Sequence, residues 1–360
     1  MAIGQACQGH SRERGPFPRA FLSCRTIDLF PPGEYRESQH EPGSAPGRAR
    51  CGKAVKSMRG SSKATSPVQV LIALLLISGL CLICSGCATK QVPPQPRPAK
   101  IAVVLGAGAS KGFAHIGVLK VLEAQRIPVH MVVGTSAGSL VGSLYASGKT
   151  AYELQGIAMK MEKDNVIDYN WKIWTGGLIK GEKLENFINQ IVQNTPIEKL
   201  KIPYYAVATN AATGEEMVFG KGNTGTAVRA SCSVPGVFQP VKIGNSTYVD
   251  GGVVSPVAVD VAKRYGADVV IAVDISGGIN NTVPTGIMNS VQRSVDIMYM
   301  KNINAQLKRA DVVIRPDVKD IGSTDMEKFN QAIFEGEKAA SAKAGELQKI
   351  IARLKQEGRL

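Results

Sequence analysis

Chemistry in this chain is most visible at Gly134-Thr135-Ser136-Ala137-Gly138. A G-x-S-x-G pattern between an apolar run and helical text gives a serine a sharp, strained turn at a strand end. Gly134 and Gly138 leave room for that turn, and the helix that follows directs its N-terminal dipole at the serine oxygen. The same residues could form a plain glycine-rich connection, but strand before and helix after favour a nucleophile. A hydroxyl nucleophile needs a base. Histidine is not available in the order serine, acid, histidine: the four His lie at 10, 40, 115 and 130, none after Ser136. His115 falls in an apolar helix and reads as structural. A carboxylate remains. Asp250 follows the short strand text Tyr248-Val249 and precedes Gly251-Gly252, at a tight turn. It could be the base, or it could use its carboxylate as a local turn acceptor; the local pattern fits both.

These side chains need elements to hold them. The continuous apolar run 101–105 ends in glycines, as a buried parallel strand does. Helical spacing follows over 113–125, then a strand over 129–133 stopped by Gly134. Helices are expected at 137–147, 151–163, 182–192, 257–265 and 287–309, with one last helix over 326–355. Strands are expected at 204–209, 217–219, 268–273 and 312–314. Alternating strands and helices predict an α/β layered fold with a central, largely parallel sheet, whose active residues gather at the carboxyl ends of strands. Residues 230–241, small, turn-forming and apolar by turns, read as a loop packed near such a site.

Residues 101–360 form the expected folded domain, behind an unusual front end. Residues 1–57 are rich in Arg, Gly, Pro and Ser without periodicity, and read as disordered or as a non-native extension, with translation starting at Met58. Residues 58–86 read as an export signal: Arg59 and Lys63, an apolar run to Cys84, then Ser85-Gly86 before Cys87. The Ser-Gly-Cys triplet resembles the bacterial lipoprotein processing site, with Cys87 the lipidated residue. Residues 87–100, rich in proline, form a tether. The expected location is the bacterial cell envelope, lipid-anchored and facing the periplasm. An uncleaved signal anchor is the alternative, although the apolar run is shorter than the ~20 residues of a spanning helix.

Cys81-x-x-Cys84 lies inside that apolar run, and Cys232 is the single cysteine of the domain, so no metal site and no internal disulfide are expected. Cys232 reads as a small packing residue. The formal net charge of +14 suits an anionic membrane surface or an ordinary basic exterior. No basic stripe interleaved with aromatics supports a nucleic-acid partner. Trp171 and Trp174, in a polar segment between helices, suit either a membrane interface or ordinary packing. Gly106-x-Gly108-x-x-x-Gly112 after a strand could be a dinucleotide loop, but the acidic residue expected after the second strand is missing, because 129–133 runs straight into Gly134.

Three separated blocks, GAGASKGFAHIGVL at 106–119, GTSAG at 134–138 and Asp250-Gly251-Gly252, together resemble the patatin-like phospholipase family over roughly 101–315. The resemblance implies a Ser–Asp dyad, Ser136 attacking an ester carbonyl and Asp250 accepting its proton, with no cofactor and no metal. It implies a phospholipid or other acyl-ester substrate taken from a membrane surface, by a phospholipase A or lysophospholipase reaction. It also implies a glycine-rich oxyanion loop of pattern G-G-G-x-[R/K]-G. Aligned on the AHIGVL text, Ala107, Gly108 and Ala109 take the three glycine positions, followed by Ser110, Lys111 and Gly112. Gly134, Gly138, Gly251 and Gly252 complete the motifs. Two alanines replace glycines, and alanine tolerates positive φ poorly. The alternative is therefore a weak or inactive lipid-binding lipoprotein of the same fold.

Overall fold

The computed structural model describes residues 66–84, 96–170, 176–278, 283 and 285–360. The expected extension 1–57, the basic residues Arg59 and Lys63, the lipidation site Cys87, most of the tether, Trp171 and Trp174 lie outside them. The chain divides after Thr89 into two units. The first contains the helix α1, Pro67–Cys84. Its 18 residues rise about 27 Å at 1.5 Å each, under the ~30 Å hydrocarbon thickness of a bilayer. Among the described residues no helix is long and apolar enough to cross a membrane.

The second unit alternates strands and helices, as the sequence predicts. It runs β1 (Ile101–Leu105), α2 (Phe113–Ala124), β2 (Met131–Thr135), α3 (Ala137–Ala146), α4 (Ala151–Met159) and α5 (Lys163–Val166). Next come β3 (Gly177–Ile179), α6 (Glu182–Ile191), β4 (Tyr204–Asn210), β5 (Glu216–Phe219) and α7 (Thr224–Ser231). The hairpin region is β6 (Gly236–Phe238), β7 (Val241–Ile243) and β8 (Ser246–Asp250). The chain closes with α8 (Val259–Arg264), β9 (Val269–Val273), α9 (Ile287–Leu307), β10 (Val312–Ile314), α10 (Phe329–Ala342) and α11 (Ala344–Gln356).

The sheet order is β10-β9-β1-β2-β4-β8-β7, with β5 added on β4. Five strands, β10 through β4, run parallel; β5, β8 and β7 are antiparallel to their neighbours. Both faces are covered, which is why the parallel strands read as unbroken apolar runs. Along β1, Ile101, Val103 and Leu105 belong to the larger core, while Ala102 and Val104 belong to the smaller one. The larger core takes α2, α3, α4, α6, α7, α10 and α11; the smaller takes α8 and, through Ile303 and Leu307, α9. Helices α2 and α10 touch backbone to backbone: a methyl placed on Gly117 would come within 1.9 Å of Ile333 O.

Three expectations differ in detail. The strand expected at 129–133 is displaced to Met131–Thr135. The helix expected over 151–163 ends at Met159, and α5 is a separate turn. The last helix breaks at Lys343 (φ −98°, ψ −1°), which lets Leu347, Ile351 and Leu354 turn toward the core. Helix α7 and the small parallel sheet of β3 and β6 occupy text with no strong period.

Candidate active site

The position of the site follows from how strand β4 is shared. Its residues 204–207 pair with β2, 206–209 with β5, and 208–210 with β8. Because β5 overlaps both of the others, β2 and β8 lie in succession on the opposite edge. Thr135 is level with Val207, and Asp250 is level with Ala208. The residue leaving β2 therefore meets the last residue of β8, arriving from the other direction. Those residues are Ser136 and Asp250.

Ser136 Oγ donates a hydrogen bond of 2.5 Å to Asp250 Oδ2. Both residues are buried, 6% and 4% exposed. Ser136 adopts φ 54°, ψ −124°, a strained conformation for a non-glycine residue, of order 1–3 kcal/mol. Its neighbours permit the turn: a methyl on Gly138 would come within 2.0 Å of Leu105 O, and one on Gly134 within 2.5 Å of Gly138 O. The Ser136 carbonyl accepts the N–H groups of Ser139 and Leu140 and the hydroxyl of Ser139, which starts α3.

Asp250 is fixed on all sides. Its N–H donates to Ser233 O at 2.8 Å and its carbonyl accepts from Thr209 Oγ1 at 2.9 Å. Carboxylate Oδ1 accepts the Gly252 N–H at 2.6 Å, leaving Oδ2 for the serine. Gly251 lies so close to β4 that a methyl there would be 2.2 Å from Val207 O. Burial raises the Asp250 pKa to about 6, against the hydrogen bonds from Ser136 and Gly252 that favour the charged form. At neutral pH the group is mostly a carboxylate, with a basicity suited to taking a proton.

The glycine-rich loop spans the ground between these two turns. At one end Ala107 lies beside Gly252; at the other a methyl on Gly112 would be 2.7 Å from Ala137 Cβ. The Ala107 N–H is committed to Pro256 O at 2.9 Å. Among the described residues no acceptor is found for the N–H groups of Gly108 and Ala109, which leaves these two of the three expected donors open. Gly108 is extended at φ 170°, whereas Ala109 adopts φ 52°, the left-handed conformation anticipated as difficult for alanine. Lys111 does not reach Ser136; its Nζ donates to Ser276 O at 2.9 Å and ties the loop to the turn after β9.

His115 is fully buried, and its Nε2 donates to Gly106 O at 2.8 Å. Burial holds its pKa down to about 4, so the ring is neutral at neutral pH. Cys232 contacts Ser139 Oγ at 3.7 Å, and burial, followed by the Asp250 charge, pushes its thiol up to about 12. Neither is placed to activate Ser136.

Two residues at the site carried no sequence signal of their own. Ser231 Oγ accepts the Ser136 N–H at 2.9 Å and donates to Val207 O at 2.6 Å, bridging the gap where β2 leaves the ladder. It lies inside the small-residue run 230–241 already placed near the site, but nothing distinguished it from Ser233. Tyr299, on α9, places its hydroxyl 3.3 Å from Ala107 O.

Residues 103–263 match the family model described as patatin-like phospholipase. An uncharacterised NTE family protein of Mycobacterium tuberculosis is 32% identical over 179 residues, 49% of this chain and 49% of that protein. Lysophospholipase NTE1 of Debaryomyces hansenii is 27% identical over 269 residues, 66% of this chain and 17% of that protein. The chain thus spans about half the length of the mycobacterial relative and a smaller part of the fungal one. Among solved structures, VipD of Legionella pneumophila aligns with a TM-score of 0.48 at 11% identity, covering 70% of this chain and 67% of that one. Over residues 103–263, this chain is similar to the patatin-like phospholipase family.

Proposed function

We propose that the chain is a serine acyl-ester hydrolase of the phospholipase A or lysophospholipase type, working through a Ser136–Asp250 dyad. The observation that carries this reading is the 2.5 Å hydrogen bond from a strained serine to a buried carboxylate of raised pKa. Ser136 Oγ attacks the ester carbonyl carbon as its proton passes to Asp250. The carbonyl oxygen becomes an oxyanion facing the N–H groups of Gly108 and Ala109, for which no acceptor is found among the described residues. Collapse expels the alcohol, which takes the proton from Asp250 and leaves an acyl-serine. Water then attacks that ester, giving its proton to Asp250, and Ser136 recovers its proton as the fatty acid leaves. No cofactor or metal enters these steps.

A lipid substrate is supported by the relative named a lysophospholipase and by exposed apolar residues close in sequence to Asp250 and to Ser233, which receives the Asp250 N–H. Val253, three residues beyond Asp250, is 49% exposed, and Leu178 and Val237 stand side by side on the β3–β6 sheet at 49% and 42%. Exposed apolar residues of this kind suit an ester presented by a membrane or micelle surface. Anchoring through Cys87 in the cell envelope belongs to the same proposal, and its test is mass spectrometry of the N-terminal peptide for a lipid adduct.

The second reading, a weak or inactive lipid binder, draws on Ala109 at φ 52°. Hydrolysis of p-nitrophenyl esters and labelling by a fluorophosphonate separate the two. The full chain should turn over and label, and Ser136→Ala should do neither. An unlabelled, inert native chain would favour the binder.

A further inference from the structure

The loop proposed above as the oxyanion hole is pinned one peptide group at a time. The 106–107 peptide is held at both ends, its carbonyl by His115 Nε2 at 2.8 Å and its N–H by Pro256 O at 2.9 Å. The next peptide, 107–108, is held only at its carbonyl, by the Tyr299 hydroxyl at 3.3 Å. Its N–H is that of Gly108, for which no acceptor is found among the described residues. None of the peptide bonds described is cis, and in a planar trans peptide the C=O and N–H point in opposite directions. Whatever fixes the Ala107 oxygen therefore fixes the direction of the Gly108 hydrogen.

We propose that Tyr299 is a positioning residue for catalysis: by holding Ala107 O, it aims the Gly108 N–H at the developing oxyanion. This rests on the hydrolase reading above. The tyrosine is well placed for it. Its ring edge lies along the turn that follows Asp250, since a methyl on Gly252 would be 3.3 Å from Tyr299 Cε2 and 3.4 Å from Ala107 Cβ. A methyl at Gly252 would press first on Asp250 Oδ1, 2.9 Å away, and only lightly on the ring and the loop. Helix α9 is itself anchored nearby, with Gln306 accepting the Val257 N–H at 3.0 Å and donating to Ser255 Oγ at 3.0 Å. Burial, with the charges of Asp250 and Asp274, raises the Tyr299 pKa, so the hydroxyl keeps its proton and remains a donor wherever Asp250 is ionised. A hydrogen bond received at a carbonyl also polarises the N–H of the same peptide and strengthens it as a donor.

Tyr299→Phe removes only the hydroxyl. In the full chain it should lower kcat on p-nitrophenyl esters about tenfold, a part of the ~10²–10³ lost when an oxyanion donor is removed outright. KM and thermal midpoint should change little. The decisive comparison is the matching thionoester, whose sulfur is a poor hydrogen-bond acceptor and draws little from the Gly108 N–H. Loss on the oxoester several-fold larger than on the thionoester supports the proposal. Equal loss on both, or no loss on either, overturns it while leaving the hydrolase reading intact. If the thermal midpoint falls sharply, the ratio is read at a temperature well below the midpoints of both proteins, where an oxoester-to-thionoester ratio unchanged from the native chain overturns the proposal. A native chain inert toward both esters refutes the hydrolase reading itself.

Discussion

Asp250→Asn should stabilise the fold at neutral pH while removing its activity, and the structure sets the size of the effect. Burial raises the Asp250 carboxyl from 3.8 to about 6 in the folded chain. The folded state thus keeps its proton to a higher pH than the unfolded chain. The stability this confers is complete below about 3.8 and is lost as pH rises through about 6. A shift of roughly 2 units corresponds to about 3 kcal/mol at ~1.36 kcal/mol per unit, of which about 2 kcal/mol falls between pH 4.5 and 7.5. At 4% exposure there is little solvent screening to reduce it. Asparagine carries no charge and can keep both contacts, its oxygen accepting the Gly252 N–H and its NH₂ donating to Ser136 Oγ. The stability of the variant relative to the native chain should therefore rise by about 2 kcal/mol from pH 4.5 to pH 7.5. Urea unfolding of both proteins across that range measures it. His115, whose pKa is held down to about 4 by burial, destabilises both proteins alike as pH falls and cancels in the difference. A difference that stays flat within about 0.5 kcal/mol would mean that Asp250 titrates normally, and the account of its basicity would fail.

The proposed role of the same carboxylate as base also predicts a rate effect. kcat/KM should rise on the acid side with an apparent pKa near 6, and Asp250→Asn should lose that limb along with about 10²–10⁴ of the rate. Ser231→Ala strands the Ser136 N–H and Val207 O, both buried, so chemical unfolding should show a loss of about 2–4 kcal/mol, with kcat down more than tenfold. Ala109→Gly relieves a left-handed alanine worth ~1–2 kcal/mol against the ~0.5–1 kcal/mol that glycine's freedom removes. Calorimetry should find it neutral to slightly stabilising, with kcat unchanged or higher; a loss above about 1 kcal/mol would contradict the φ of 52°.

What the sequence revealed, and what it concealed, divides along physical lines. The strands β1, β2, β4 and β9 were legible because burial on both faces forces unbroken apolar runs such as IAVVL and VVIAV. Ser136 was legible because a strand-to-helix turn this tight demands glycine at fixed positions, and the 2.0 Å approach at Gly138 is that demand in coordinates. Helix α7 and β6 were not, because their text, TGTAVRAS and GVF, is short, small and without period. The displaced start of β2 has a similar origin. His130 N–H bonds Ile101 O and His130 Nδ1 accepts the Ile101 N–H, so the residues before Met131 contact β1 without continuing its ladder.

Asp250 is the instructive case, since local text could not separate a base from a turn acceptor. In the structure its two oxygens take different partners, Oδ1 the Gly252 N–H and Oδ2 the serine. A turn acceptor and a partner for Ser136 are thus one residue, and the first task orients the second. What brings them together is the succession of β2 and β8 along one edge of β4, a contact between segments more than a hundred residues apart. Neither segment encodes that contact alone. It depends on β5 covering the other edge of β4, so that β8 is left with only the place where β2 ends. The small side chains of 230–233 then fill the seam, with Ser231 closing the unpaired ladder group and Ser233 receiving the Asp250 N–H. A buried carboxylate and a strained serine each lower the stability of the fold; held side by side by the sheet, they share the hydrogen bond on which the proposed chemistry rests.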